Sequence, residues 1–272
     1  MQLDPETHQL TAIVLAGDRT KQDLLVNESP AGCKALIDID GVPMVRRVLD
    51  ALRISRVVGG VTLAGPQADE LATNQDLSDM VASGAVQWRA PDISPSTSAY
   101  NAMQAVNPEQ PVLLTTADHP LLTPEMVDAF GRQSLADDVD VTVGLAPYAL
   151  VQEAYPGMKK TVLRFADGDF CGCNLFAFLT PEGRRAASFW RRIEQERKKP
   201  LLVIGLLGWW TVIRYRLGFL PLEEALAKLS KRLGLRIRAV ILPYANAAID
   251  VDSIADLVLV KGAIEKARER DV

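Results

Sequence analysis

The stretch that most constrains the fold is residues 11–52, TAIVLAGDRTKQDLLVNESPAGCKALIDIDGVPMVRRVLDAL. An apolar run at 12–16 ends in Gly17. A polar loop without periodicity follows, Lys34 stands just before a short apolar run, and Gly41 and Pro43 open an amphipathic helix. A buried strand, a loop able to enclose a phosphate and a returning helix make one half of a mononucleotide-binding α/β unit.

The pattern continues downstream. Strands are expected over 12–16, 57–64, 86–88 and 111–116, and helices over 43–53, 67–83 in two pieces, 97–106 and 123–133. Pro43 would lie in the first turn of its helix, Ser96 or Thr97 would cap the helix at 97–106, and Thr123 would cap the next with Pro124 at its first position. This alternation implies an α/β fold, a mostly parallel mixed sheet with helices on both faces, Rossmann-like in layout. In such sheets ligands sit beyond the carboxyl ends of the strands, where Gly17, Gly65 and Asp118 all fall.

The second half is less regular. A strand at 139–145 precedes two apolar runs, 161–165 and 171–178, which read as a hairpin turning at Ala166-Asp167-Gly168-Asp169. Thr180 and Pro181 begin a helix to about residue 199, with further helices at 201–215 and 222–233, a strand at 236–242 and a last helix capped by Ser253. The expected organisation is one domain over 1–272, with 180–235 as a helical insertion.

Composition sets the outer limits. A net charge of −4 gives no general attraction to nucleic acid. Cys171 and Cys173 are separated by one residue, not the two usual in zinc or redox pairs, and His8 and His119 are the only histidines, so a structural zinc site is not expected. Residues 1–10 show neither the basic nor the apolar part of a signal peptide. Together with free thiols this points to a cytoplasmic, reducing setting.

Four groups of residues can carry chemistry. Arg19 and Lys34 place two cations in the loop after the first strand, a planar fork and a mobile point charge suited to phosphate; a plain turn at Gly17 is the bland alternative. The strand before Thr115-Thr116-Ala117-Asp118 delivers a carboxylate to the same edge, where a carboxylate facing phosphates calls for Mg²⁺ between them; otherwise Asp118 only caps a turn before Pro120. Asp250 and Asp252 could complete such a site, or Asp252 could serve only to start the last helix. Ser94 and Ser98 flank a helix start that can hold a base edge or a phosphate, although capping alone would explain them.

Taken together these residues resemble the nucleotidyltransferases of the GT-A-type fold, nearest to the MobA-like NTP transferase domain. The resemblance rests on Leu15-Ala16-Gly17 with Arg19, on Lys34-Ala35-Leu36 with Gly41-Val42-Pro43-Met44, on Ala117-Asp118-His119-Pro120, and on Asp250-Val251-Asp252 with Asp256-Leu257. It covers about 1–180 and 236–272. It implies that Leu15, Ala16 and Gly17 lie against the nucleotide, that Arg19 and Lys34 hold the triphosphate, that Asp118 and Asp250 bind Mg²⁺, and that Ser94 and Ser98 border the base. The implied reaction moves an NMP from an NTP to a phosphorylated acceptor with release of pyrophosphate. A glycosyltransferase using a nucleotide sugar on the same architecture, and a non-catalytic nucleotide-binding protein, are the competing readings.

Two further expectations come from the residues alone. Lys159, Lys160 and Arg164, with Asn174 on the next strand, would hold the acceptor, unless they form a solvated basic face. Residues 184–199 carry seven Lys or Arg against two Glu, and residues 201–213 read LLVIGLLGWWTVI before Arg214 and Arg216. That run is too short to span a bilayer. It has the composition of an interfacial anchor at the inner face of the membrane, which would suit a lipid-precursor acceptor, and equally of a buried helix or a dimer face.

Overall fold

The computed structural model describes residues 9–18, 24–136, 138–187 and 208–270. The chain opens with β1 (Leu10–Leu15). A small hairpin of β2 (Asp38–Ile39) and β3 (Val42–Pro43) leads into α1 (Met44–Ile54). Next come β4 (Val58–Ala64), α2 (Ala68–Ala72), α3 (Gln75–Ala82), β5 (Gln87–Arg89), α4 (Pro95–Gln104), β6 (Val112–Thr116), α5 (Pro124–Leu135) and β7 (Val141–Pro147). A short helix, α6 (Tyr148–Ala154), precedes the hairpin of β8 (Val162–Phe165) and β9 (Gly168–Phe178). Residues 181–187 are helical. Then follow α7 (Trp209–Arg216), α8 (Leu222–Leu233), β10 (Ile237–Ile241) and α9 (Ile254–Arg270).

The main sheet runs β10-β7-β9-β6-β1-β4-β5, with β8 paired to β9. β1 is parallel to both β4 and β6, and β10 is parallel to β7. β9 runs against both its neighbours, β6 and β7. The sheet is therefore the mostly parallel mixed sheet expected.

β1 is buried on both faces, which is why it reads as an unbroken apolar run rather than an alternating one. Leu10, Ala12 and Val14 face α1 and α5, in a core with Val48, Leu49, Leu52, Val127 and Phe130. Ile13 and Leu15 face the other way, toward Ala99, Ala102 and Met103 of α4 and Ala187. The apolar stripe of α1, Val45, Val48, Leu49 and Leu52, is what seats it on the sheet. Leu49 is fully buried, so Leu49→Ala would cost about 2–5 kcal/mol.

Several boundaries differ from the sequence expectation, each for a local reason. α1 starts at Met44 because Pro43 is still paired with Asp38 in the small hairpin. α4 starts at Pro95, with Ser94 rather than Ser96 or Thr97 as its cap. The ring of Pro95 suits the first helical position, and the Ser94 hydroxyl accepts the Thr97 N–H at 3.3 Å. The β8–β9 turn falls on Ala166-Asp167, since Phe165 pairs with Gly168. Asp167 is recruited instead to the start of α8, accepting the Leu222 N–H at 3.0 Å. Gly208, at φ 80°, precedes α7, so a single helix does not run through 201–215. Residues 201–207 themselves lie outside the described set.

Candidate active site

The carboxyl edge of the sheet carries a cavity of about 400 Å³. Its lining includes Leu15, Ala16, Gly17, Asp18, Lys34, Asp92, Ser94, Ser98, Asp118, Asn174, Asp250 and Asp252. The chain thus brings together the end of β1, the turn at Lys34, the start of α4, the end of β6, the middle of β9 and the segment before α9.

Gly17 is required by space. A Cβ there would lie 2.8 Å from Pro91 Cβ, closer than side-chain atoms approach. The chain can therefore pass close to the 91–94 loop only as glycine. Lys34 begins a 3₁₀ turn whose next residues, Ala35 and Leu36, are buried, which anchors the base of its side chain. Asp18 pins that turn, its carboxylate oxygens each accepting the Lys34 N–H at 3.3 Å. Burial raises the Asp18 carboxyl above its ordinary value.

The Lys34 ammonium donates to Asp118 Oδ2 and to Asp252 Oδ1, both at 3.0 Å. Backbone pairing fixes two of these elements together: Ala117 N–H donates to Leu15 O, and Val251 N–H donates to Asp118 O, both at 2.9 Å. Burial opposes charge on Lys34 and Asp118 alike, but the pairing outweighs it. Lys34 is held above the usual lysine range by Asp118 and Asp252. Asp118 is held below the usual carboxylate range by Lys34. The other Asp118 oxygen, Oδ1, is buried and accepts no hydrogen bond.

Asp250 is occupied differently from Asp252. Lys160 Nζ donates to its Oδ1, and Asn174 Nδ2 donates to its Oδ2 at 3.0 Å. The two carboxylates of the Asp-Val-Asp segment therefore answer to different cations. His119, just behind, is buried, with Nε2 3.1 Å from Asn246 O. A carbonyl only accepts, so Nε2 carries the proton and Nδ1, unpartnered, is bare. Burial lowers the His119 pKa and keeps the ring neutral.

Ser94 and Ser98 line the cavity while holding its wall. The Ser98 hydroxyl accepts the Asp92 N–H at 2.8 Å. Asp92 Oδ1 accepts from Asn101 Nδ2 at 2.9 Å, tying the loop to α4.

Of the residues singled out from sequence, Leu15, Ala16, Gly17, Lys34, Ser94, Ser98, Asp118, Asn174 and Asp250 meet at this one cavity. Arg19 lies outside the described residues. The basic trio does not gather there. Lys159 and Arg164 are exposed and do not line the cavity, while Lys160 pairs with Asp250. Sequence reasoning gave Asp252 a part in a metal site or a helix start, not its contact with Lys34. It assigned nothing to Asp18 or Asp92. Nothing local announces the Lys34–Asp252 pair, which joins residues 218 positions apart.

The three cysteines are buried, and burial pushes the Cys33 thiol up to about 12. Among the described residues no three His, Cys, Asp or Glu side chains gather as a metal cage.

A parallel-sheet edge that joins a glycine turn, an anchored lysine and carboxylates from distant strands is the architecture of nucleotidyltransferases. The family model for the MobA-like NTP transferase domain matches residues 12–155, and the chain belongs to that family. Asp250 and Asp252 lie beyond the matched residues. Among solved structures, a hypothetical transferase from Thermus thermophilus is 29% identical, with a TM-score of 0.76 over 92% of this chain and 99% of that one. A CMP:2-keto-3-deoxy-manno-octonic acid synthetase complexed with CTP is 15% identical, with a TM-score of 0.59 over 95% of this chain and 100% of that one. A 4-diphosphocytidyl-2C-methyl-D-erythritol synthase from Anaerococcus prevotii is 10% identical, with a TM-score of 0.56 over 96% of this chain and 97% of that one. These last two share the fold. Comparison with curated proteins gives no match.

Proposed function

We propose that this protein transfers an NMP from an NTP to a phosphorylated acceptor, releasing pyrophosphate, with Mg²⁺ as the required ion. The observation that carries the reading is the charge of the cavity. Its described lining holds five carboxylates, Asp18, Asp92, Asp118, Asp250 and Asp252, against Lys34 in the lining and Lys160, which reaches Asp250 from beside it, so the carboxylates stay in excess. A triphosphate entering such a cavity would be repelled unless divalent cations came with it. Mg²⁺ is usually held by one or two carboxylates together with substrate phosphates, not by a protein cage. Asp118, with an unpartnered buried oxygen, fits that role, and Asp250, in the segment joined to it through the Val251 N–H, would share the ion on release from Lys160.

In the reaction an oxygen of the acceptor phosphate attacks the α-phosphorus, and the bond to the pyrophosphate oxygen breaks. No covalent intermediate with the protein is needed, only in-line placement and charge neutralisation. Lys34 is positioned to leave its carboxylates for the phosphates and to neutralise charge building on the leaving pyrophosphate. Arg19 follows Asp18 in the chain and would add a second cation. Gly17 lets the backbone come close to the nucleotide, and the 92–98 segment forms the wall against the base. Mg²⁺, when bound, supplies further charge cancellation at the α-phosphate. Asn174 holds Asp250 in place beside the acceptor.

The test is pyrophosphate release from each of the four NTPs, with and without Mg²⁺, over a panel of sugar, polyol and isoprenoid-type phosphates. Acceptor-dependent release that chelation stops is expected. Pyrophosphate release from none of the NTPs, with turnover of a nucleotide sugar instead, would overturn the reading in favour of glycosyl transfer.

A further inference from the structure

Most large apolar side chains of the described residues are covered, but one stretch is not. Trp209, Trp210, Ile213, Leu217 and Phe219 all stand exposed, with the two indoles 65% and 69% open. Trp210, Ile213 and Leu217 follow the i, i+3, i+7 spacing of one helix face, and Trp209 adjoins it.

The opposite face of α7 is firmly held. Thr211 is buried, and its hydroxyl accepts from Lys228 Nζ at 3.0 Å. Arg214 pairs with Glu224 of α8. The Tyr215 ring meets Phe165 at the hairpin tip edge-on, 5.5 Å between centroids. The helix is thus fixed by its polar and aromatic side with its apolar side outward. A buried core helix would have the opposite orientation.

Among the described residues the charges near this face are mixed, with Glu223 and Asp167 exposed where the turn meets α8. Arg216 is exposed beside it. In sequence, residues 185–199 carry six Lys or Arg against two Glu, and residues 201–207 read LLVIGLL. Arg184 does not belong to this set. It is buried and donates to the carbonyls of Met103, Val106 and Asn107 at 2.6–3.1 Å.

Through Tyr215 and Phe165, α7 packs on the hairpin tip, which lies on the cavity's side of the sheet. Pro147, the last residue of β7, pairs with Phe170, so the β8–β9 tip projects past the carboxyl edge. Asn174 of the cavity lies six residues along β9 from Gly168, about 20 Å at strand rise.

We propose that α7 and the turn to Phe219 form a docking face for an anionic lipid bilayer, with Trp209 and Trp210 seated in the headgroup region. Paired indoles on an apolar face with Arg216 beside it, in a stretch whose sequence is flanked by cations, suit that interface, where the ring is half apolar and half polar. No described helix is long and apolar enough to cross a membrane. The proposal stands apart from the transfer reaction, since it concerns a surface the chemistry does not use.

The experiment is flotation of the full chain with vesicles of phosphatidylcholine, with and without phosphatidylglycerol, at low and high salt. Binding to the anionic vesicles at low salt is expected, weakened by salt. Trp209→Ala with Trp210→Ala should lower the partition coefficient about tenfold or more. Arg216→Ala should lower it about fivefold at low salt, as for one cation near an anionic surface. Circular dichroism of each variant checks that it is folded. The proposal is overturned by an absence of binding to anionic vesicles, or by binding unchanged in the double tryptophan variant. It is equally overturned if lipid-free protein forms a dimer that this variant dissolves, which would show a second copy on the face. Pyrophosphate release measured in parallel keeps failure here distinct from failure of the transferase reading.

Discussion

Replacing Lys34 by Met keeps the aliphatic stem and removes the charge that Asp118 and Asp252 share. The two contacts are unequal. Both measure 3.0 Å, but the Asp118 side chain is 22% exposed and that of Asp252 71%. The Asp252 pair is solvent-screened and contributes about 0–1 kcal/mol. Stranding a fully buried carboxylate costs about 3–5 kcal/mol, so the partly buried Asp118 should bring the total to about 2–3 kcal/mol. For a domain of this size that is a fall in Tm of about 4–12 °C. The pH dependence is the sharper test. In the parent the Asp118 carboxyl is depressed below its unfolded value, so its contribution is present above that value and is lost as pH falls through the folded pKa. In the variant, burial, the largest influence on this carboxyl, no longer meets the Lys34 charge and outweighs the smaller opposing effect of Thr116, so the carboxyl rises and stability instead improves as pH falls toward about 4. The two Tm curves should converge in acid, and Lys34→Met with Asp118→Asn should recover much of the loss. A deficit of the same size at pH 7 and pH 4 would refute the reasoning. Turnover of Lys34→Met should fall by about 10²–10³.

Asp118→Asn and Asp250→Asn should each lower turnover by about a hundredfold or more while leaving the circular dichroism unchanged, and full activity in either would remove that residue from the proposed metal site. Arg184→Met strands the carbonyls of Met103, Val106 and Asn107 at the end of α4 and should cost about 3 kcal/mol in urea unfolding; a cost under about 0.5 kcal/mol would contradict the role given to Arg184. His119 is depressed by burial, so stability is complete above about pH 6.5 and declines as pH falls below it, because the unfolded chain takes up the proton first. His119→Gln should flatten that decline, and an unchanged slope between pH 6.5 and 5 would show that another group sets it.

What the sequence disclosed follows how local each cause is. β1, Gly17 and the placement of Asp118 at a strand end are legible because a doubly buried parallel strand writes its pattern into consecutive residues. Thr123 with Pro124 announces α5 for the same reason. Helix α6 was not anticipated: Tyr148–Ala154 is too short for its periodicity to stand out, and tertiary packing through Val151 makes it. Arg184 reads in sequence as one cation of a basic run, and only the fold shows the carbonyls that bury it. Lys160 reads the same way until Asp250 is brought to it. In each case the deciding partner is remote, and neither spacing nor composition records it.

The Lys34–Asp252 contact closes a span of 218 residues. Loop-closure entropy makes contacts of such separation slow to form. At a synthesis rate of about 5–20 residues per second, roughly 10–40 s pass between the emergence of these two partners. The nascent chain can assemble β1, β4 and β6 in that time, but Asp118 has neither Asp252 nearby nor the Val251 N–H on its carbonyl. The acidic cavity therefore belongs to the last stage of folding. Recovery of activity after dilution from denaturant would lag behind recovery of helical signal, and the site acts as a reporter of the completed chain.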